Sequence, residues 1–145
     1  MERCDALIVG GGPAGSTLAW RLAAQGREGV VLDKKTFPRD KVCAGWITPA
    51  VVETLQLDLA DYAQGRTLQP IHRFRTGLIG GEEVLTDYGA TVSYGIRRRE
   101  FDDYLLRRSG ARLLLGEGLG SVERDGSEWI VNGRLRTPLL IGAGG

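Results

Sequence analysis

The chain opens on Leu7-Ile8-Val9-Gly10-Gly11-Gly12-Pro13-Ala14-Gly15, and eighteen residues past Gly15 comes Asp33, at the end of Val30-Val31-Leu32. An apolar run, a glycine turn, a helical stretch, a second apolar run and an acid in that order describe a strand, helix and strand built to receive a pyrophosphate. Gly10 allows the tight turn where the first strand ends, in backbone angles that a side chain would resist. Gly12 has no Cβ to hold phosphates away, and Gly15 lets the helix lie close on the strand. The first N–H groups of that helix and its dipole then face the negative charge. Pro13 suits the first turn, where an N–H has no partner to find. Asp33, at the tip of the second strand, is placed to accept hydrogen bonds from the hydroxyls of an adenosine ribose and to repel a 2′-phosphate.

Residues 5–9 read as a buried parallel strand, 13–25 as a helix with Leu18, Ala19, Leu22 and Ala23 at helical spacing, and 29–33 as the second strand. Gly26 is the expected left-handed cap between them. Residues 36–46 carry neither period and read as a loop. A short helix is expected from Thr48-Pro49 to about Leu57, with threonine as cap. Residues 71–79, 83–87 and 91–96 read as strands of one antiparallel sheet, separated by glycine turns. Arg99 to Arg108 reads as a helix with Phe101, Tyr104, Leu105 and Arg108 on one face, and Ala111 to Leu115 as a return to the parallel sheet. Residues 119–124, 127–132 and 134–137 form a meander turning at Asp125-Gly126 and Asn132-Gly133. Leu139-Leu140-Ile141 is one more buried strand. The fold class so read is α/β: a Rossmann-like domain over residues 1–145 with a parallel sheet, a small β-meander and antiparallel additions. A buried strand that delivers the chain into glycines normally continues into further structure, so the 145 residues are read as the N-terminal part of a longer polypeptide.

That length is enough for one core without disulfides or metals. A net charge of +1 gives no reason to expect nucleic acid as a partner. Arginines 97, 99, 107 and 108 read as a solvated helix face. The two cysteines, Cys4 and Cys43, and the single histidine, His72, supply neither a disulfide framework nor a zinc site, and fit a reducing, cytoplasmic setting. Glycines, Pro13 and Arg21 interrupt the apolar N-terminus, which argues against a signal peptide or a spanning helix and leaves peripheral membrane association open.

Four separated segments then agree: the fingerprint at 8–15, the loop Phe37-Pro38-Arg39-Asp40-Lys41-Val42-Cys43, the helix start Arg98-Arg99-Glu100-Phe101-Asp102, and Leu140-Ile141-Gly142-Ala143-Gly144. Together they resemble the geranylgeranyl reductase family of flavoproteins, whose fold is shared with aromatic hydroxylases such as p-hydroxybenzoate hydroxylase. The resemblance implies an FAD-binding domain of an FAD-dependent oxidoreductase. It implies that Gly10, Gly12, Ala14 and Gly15 hold the FAD pyrophosphate and Asp33 the adenosine ribose. It further implies that Cys43, Ala44 and Gly45 lie beside the ribityl and flavin portion, that Arg98 reaches the cofactor from its helix start, and that Leu119 flanks the adenine. A reduced nicotinamide, NAD(P)H, or a donor protein would supply electrons, and a small-molecule substrate, an isoprenoid alkene among the candidates, would accept hydride.

Three departures stand against the family pattern. Asp33 replaces the more usual glutamate, Ala44 stands where many relatives have glycine, and Gly144 occupies the place of an aspartate. Cys43 and Cys4 read as packing residues and His72 as a strand residue, while Trp46 and Tyr94 are candidates to border a flavin or an apolar substrate. No residue reads as an acid or base for the hydride step. A flavin monooxygenase, a nucleotide-binding module without catalysis and an NAD-dependent dehydrogenase stay open as alternatives, the last leaving the Phe37 to Cys43 loop unexplained.

Overall fold

A computed structural model describes all residues, 1–145. In chain order the elements are β1 (Glu2–Arg3), β2 (Ala6–Val9), α1 (Pro13–Ala24), β3 (Gly29–Asp33), β4 (Trp46–Ile47), α2 (Pro49–Thr54), α3 (Leu59–Tyr62), β5 (Gln69–Ile71), β6 (Arg73–Gly77), β7 (Glu83–Asp87), β8 (Ser93–Gly95), α4 (Arg98–Arg108), β9 (Arg112–Leu115), β10 (Val122–Asp125), β11 (Glu128–Val131), β12 (Leu135–Thr137) and β13 (Leu140–Gly142). They fall into two compact units, Met1–Asp40 with Asp102–Gly145, and Lys41–Phe101.

The first unit is built on a four-stranded parallel sheet in the order β13-β2-β3-β9. Both faces are covered, which is why β2 and β3 are continuous apolar runs and do not alternate with polar residues. On one face Ile8 and Val31 pack with Ala19 of α1, Leu106 of α4 and Phe37. On the other, Leu7, Val30 and Leu32 pack with Val131 and Leu135 of the meander and with Cys4. Each such aliphatic side chain contributes about 1.5–3 kcal/mol on full burial. The meander β10-β11-β12 forms as read, and β1 joins it in parallel register, Glu2 opposite Leu135. α1 ends as expected, with Gly26 at φ +70° and the N–H of Arg27 returning to Leu22 O at 3.0 Å.

The second unit holds a three-stranded sheet, β4-β8-β5, and a separate hairpin, β6-β7. Here the structure corrects the single antiparallel sheet read from residues 71–79, 83–87 and 91–96. The chain changes partners at His72: Ile71 pairs with Ser93, whereas Arg73 pairs with Asp87. Pro70 lies in β5, an edge strand, where its missing N–H costs no ladder bond. The helix expected to reach Leu57 ends at Thr54. Gln56 takes the left-handed position at φ +49°, and Leu57 N donates back to Val52 O at 3.0 Å, so this cap uses no glycine and gave no sequence signal. The short α3 follows, capped by Asp58, whose Oδ1 accepts the N–H groups of Ala60 and Asp61.

The arginines at the end of α4 are not simply solvated. Arg107 donates to Phe37 O at 3.1 Å and pairs with Asp103, and the guanidinium of Arg108 lies 4.5 Å from the Trp20 ring centre. The buried face of α4 in the first unit is Asp102, Leu105 and Leu106, while Tyr104 and Arg108 are half-buried. No helix is long and apolar enough to cross a membrane.

Candidate nucleotide site

β2 stops at Val9 and the chain turns at Gly10, whose φ of +117° suits glycine. A Cβ on Gly10 would stand 2.4 Å from Ala143 O, and one on Gly15 would stand 1.9 Å from Gly10 O. These two glycines are therefore packing requirements: the turn, the start of α1 and the end of β13 come too close for any side chain. Gly12 differs. It is the N-cap of α1 in ordinary extended backbone, φ −68°, and a Cβ there would meet only Arg39 Nη2, at 3.6 Å. No side chain caps this helix and its first turn holds no acid, so its N-terminus keeps its positive character for an anion. Ala14 is exposed in that first turn, whereas Gly15 is buried beneath it.

Beside this turn lies a pocket of about 420 Å³ lined by Gly10, Asp33, Lys34, Leu119 and Gly144, with Val9 and Leu32 beneath. Its size is within the range of small-molecule sites, and it sits at the carboxyl ends of β2 and β3, where open parallel sheets take their ligands. Asp33 is braced by the backbone. Its Oδ2 accepts the Gly11 N–H at 2.7 Å and its Oδ1 the Lys35 N–H at 2.8 Å. Each oxygen keeps a lone pair for a further donor.

Leu119 belongs to a loop outside the meander strands, which begin at Val122, so its expected place at a strand start is corrected. It is well exposed, and Asn132 holds its loop in place. Asn132 Oδ1 accepts the N–H groups of Gly120 at 2.8 Å and Ser121 at 3.1 Å, and Nδ2 donates to Glu117 Oε1 at 2.9 Å and Gly118 O at 3.0 Å. Glu117 in turn pairs with Arg134, and its N–H donates to Asp33 O at 3.1 Å. The hydrogen bond from Asn132, then the one from Arg134, hold the Glu117 carboxyl below its ordinary range. The Asn132-Gly133 dipeptide announces a turn, but its side-chain role is invisible locally, because its partners lie 11 to 15 residues upstream.

The structure thus brings Gly10, Asp33 and Leu119 to one pocket, and places Gly12, Ala14 and Gly15 at the adjoining helix start. Cys43, Ala44, Gly45 and Arg98 belong to the second unit. Cys43 and Ala44 are exposed there, Gly45 turns at φ +84° with its N–H 3.5 Å from the Cys43 sulfur, and Arg98 is half-buried at the first position of α4. Trp46 meets Phe74 edge-on at 5.7 Å, within a half-exposed aromatic group that includes Tyr88. No cluster of side chains suits a metal ion.

This arrangement defines a Rossmann-like dinucleotide-binding domain, and residues 8–60 match the family described as the NAD(P)-binding Rossmann-like domain. The chain has the fold of FAD-dependent flavoproteins, which it shares with an FAD-dependent halogenase and a probable FAD-dependent monooxygenase at 26% identity, and reductases and halogenases are among the proteins it is similar to. It is similar to a menaquinone reductase of Mycobacterium tuberculosis, at 38% identity over 90% of this chain and 33% of that protein. It is similar to a geranylgeranyl diphosphate reductase of Rhodobacter capsulatus, at 30% identity over 97% of this chain and 37% of that protein. The crystal structure of a geranylgeranyl bacteriochlorophyll reductase-like protein from Thermoplasma acidophilum superposes with a TM-score of 0.79 at 20% identity, over all of this chain and 40% of that one, which is a likeness of fold. The chain spans about one third of the length of the curated relatives it matches.

Proposed function

We propose that this chain holds the FAD of a flavin-dependent oxidoreductase that passes hydride to a small-molecule acceptor. The observation that carries the reading is the pocket joining Gly10, Asp33 and Leu119 beside the uncapped start of α1. It offers each half of an adenosine diphosphate its complement. The N-terminal turn of α1 with Gly12 and Ala14 receives the pyrophosphate, Asp33 accepts from the ribose hydroxyls, and Leu119 lies on the adenine. Cys43, Ala44, Gly45 and Arg98 are proposed to contact the ribityl and flavin portion, Arg98 through its fork of donors. Bound FAD would supply the carrier of the two electrons. The chain's own part is to bind, orient and shield, and no side chain is assigned a proton.

The relatives named for menaquinone and geranylgeranyl diphosphate support an isoprenoid acceptor, reduced with electrons from a reduced nicotinamide or a donor protein. A second reading, an oxygen-using hydroxylase or halogenase, is favoured by the similarity to a tryptophan 2-halogenase. Anaerobic turnover separates the two: reduction of an isoprenoid acceptor without oxygen supports the reductase, and product formed only with oxygen consumption supports the second. Purified protein that is colourless and takes up no FAD on reconstitution overturns both.

A further inference from the structure

The loop after β3 folds back on the glycine turn. Phe37 is buried, and its ring edge lies 3.3 Å from where a Cβ on Gly11 would stand. Its carbonyl is held by Arg107. Two residues on, Arg39 lays its guanidinium over the Phe37 ring at 4.6 Å and gives Nη1 to Asp102 at 2.8 Å. The Asp102 side chain is 0% exposed and that of Arg39 15%. The other guanidinium nitrogen, Nη2, is the one atom near the empty Cβ position of Gly12.

A buried ion pair is a poor device for stability alone, because desolvation of both charges offsets most of their attraction. An apolar pair of similar volume would tie the loop to α4 as well. What this pair achieves is aim. Phe37 fixes the guanidinium plane from one side, Asp102 takes one prong of the fork, and the remaining prong faces the uncapped, acid-free start of α1. A diphosphate placed against Gly12 would meet the helix N–H groups and, in addition, a planar donor carrying a full positive charge. The helix end supplies only about half a charge.

We infer that Arg39 holds the diphosphate of the bound nucleotide and that Asp102 is its positioning residue. This rests on the nucleotide site proposed above and adds to it a cation that the glycine fingerprint lacks. ADP and adenosine are the probes, since they share the base and ribose and differ in the diphosphate. By titration calorimetry, Arg39→Met is expected to weaken ADP about tenfold to a hundredfold and to leave adenosine unchanged. Arg39→Lys, which keeps the charge and loses the fork, falls severalfold on ADP alone. Asp102→Asn falls between wild type and Arg39→Met, and added salt weakens ADP binding more in wild type than in Arg39→Met. Unchanged ADP affinity in Arg39→Met, or equal losses for ADP and adenosine, overturns the assignment in favour of a packing role. If Arg39→Met does not fold by circular dichroism, the same comparison is made with Arg39→Lys, and equal losses there overturn it. Wild-type protein that binds neither ADP nor FAD overturns the nucleotide site itself, a failure visible before any variant is made.

Discussion

Asp33 Oδ2 accepts the backbone N–H of Gly11 at 2.7 Å, so the acid at the tip of β3 grips the glycine turn as well as facing the pocket. Replacing it removes two supports at once. Asp33→Ala is expected to weaken FAD by about 1.5–3 kcal/mol, the usual worth of a hydrogen bond to a charged group, and to speed hydrogen exchange at the Gly11 amide before any ligand is added. Asp33→Asn can still accept through its amide oxygen and should lose less. Flavin fluorescence titration and amide exchange by NMR check the two effects separately.

The glycines divide by mechanism. Gly15→Ala puts a Cβ against Gly10 O, a backbone atom that cannot move aside, and should destabilise the fold by about 1–3 kcal/mol or more. Gly12→Val meets only the end of the Arg39 side chain, at ordinary contact distance and in ordinary backbone angles, so it should melt near wild type and yet fail to retain FAD. Thermal melts beside flavin content of the purified variants decide this. Flavin content in Gly12→Val equal to wild type would mean that the pyrophosphate lies elsewhere.

Asn132→Gly keeps the left-handed backbone that Asn132 adopts at φ +51° while deleting its four side-chain hydrogen bonds. The Leu119 loop then loses its latch. Weaker binding of adenosine is expected, on the order of tenfold, with the meander intact by circular dichroism; the scale follows from about 1 kcal/mol per net hydrogen bond, reduced by exposure.

Glu117 and Glu128 have carboxyls held below the ordinary glutamate range, Glu117 by Asn132 and Arg134, Glu128 chiefly by its hydrogen bond to Arg136. A depressed folded-state pKa means that the unfolded chain binds protons first as pH falls. The stabilisation is therefore complete above the ordinary glutamate value and is lost as pH drops through the depressed values. Urea midpoints should be flat from neutral pH to about 5 and fall below that, and Glu117→Gln should flatten the fall.

The two thiols should be told apart by reagent. Cys4 is buried under the sheet, and that burial pushes its pKa up, whereas Cys43 is exposed. Ellman's reagent is expected to titrate one thiol in native protein and two in urea, and Cys43→Ser should leave none reactive without denaturant.

Much of this was legible along the chain. β2, α1 and β3 announce themselves because their cores are local: apolar runs of strand length, a helical period, and glycines where the backbone must turn. What stayed hidden depends on partners far off in sequence. β1 is two charged residues, and only its register against β12 makes it a strand. Asp102 reads as one more acid on a charged helix, and its burial follows from Arg39, 63 residues earlier. The switch of sheets at His72 has no local mark, since both pairings suit the same alternating pattern. The candidate site shows the same split, with the glycines and Asp33 visible as a motif and Asn132 visible only as a turn.

The pairing of β13 with β2 also orders events in time. The last strand of the parallel sheet sets the first: Leu140 stands beside Leu7, and Ala143 N donates to Val9 O at 2.7 Å, just where the glycine turn begins. During synthesis Gly10 to Gly15 leave the ribosome well over a hundred residues before their partners, so the glycine turn has no neighbour on one side until residues 140–143 have been made. Such sequence-distant pairing is slow to form. The nascent β2 edge is meanwhile an open strand, and the glycine turn gains its last backbone neighbour only once residues 140–143 have emerged.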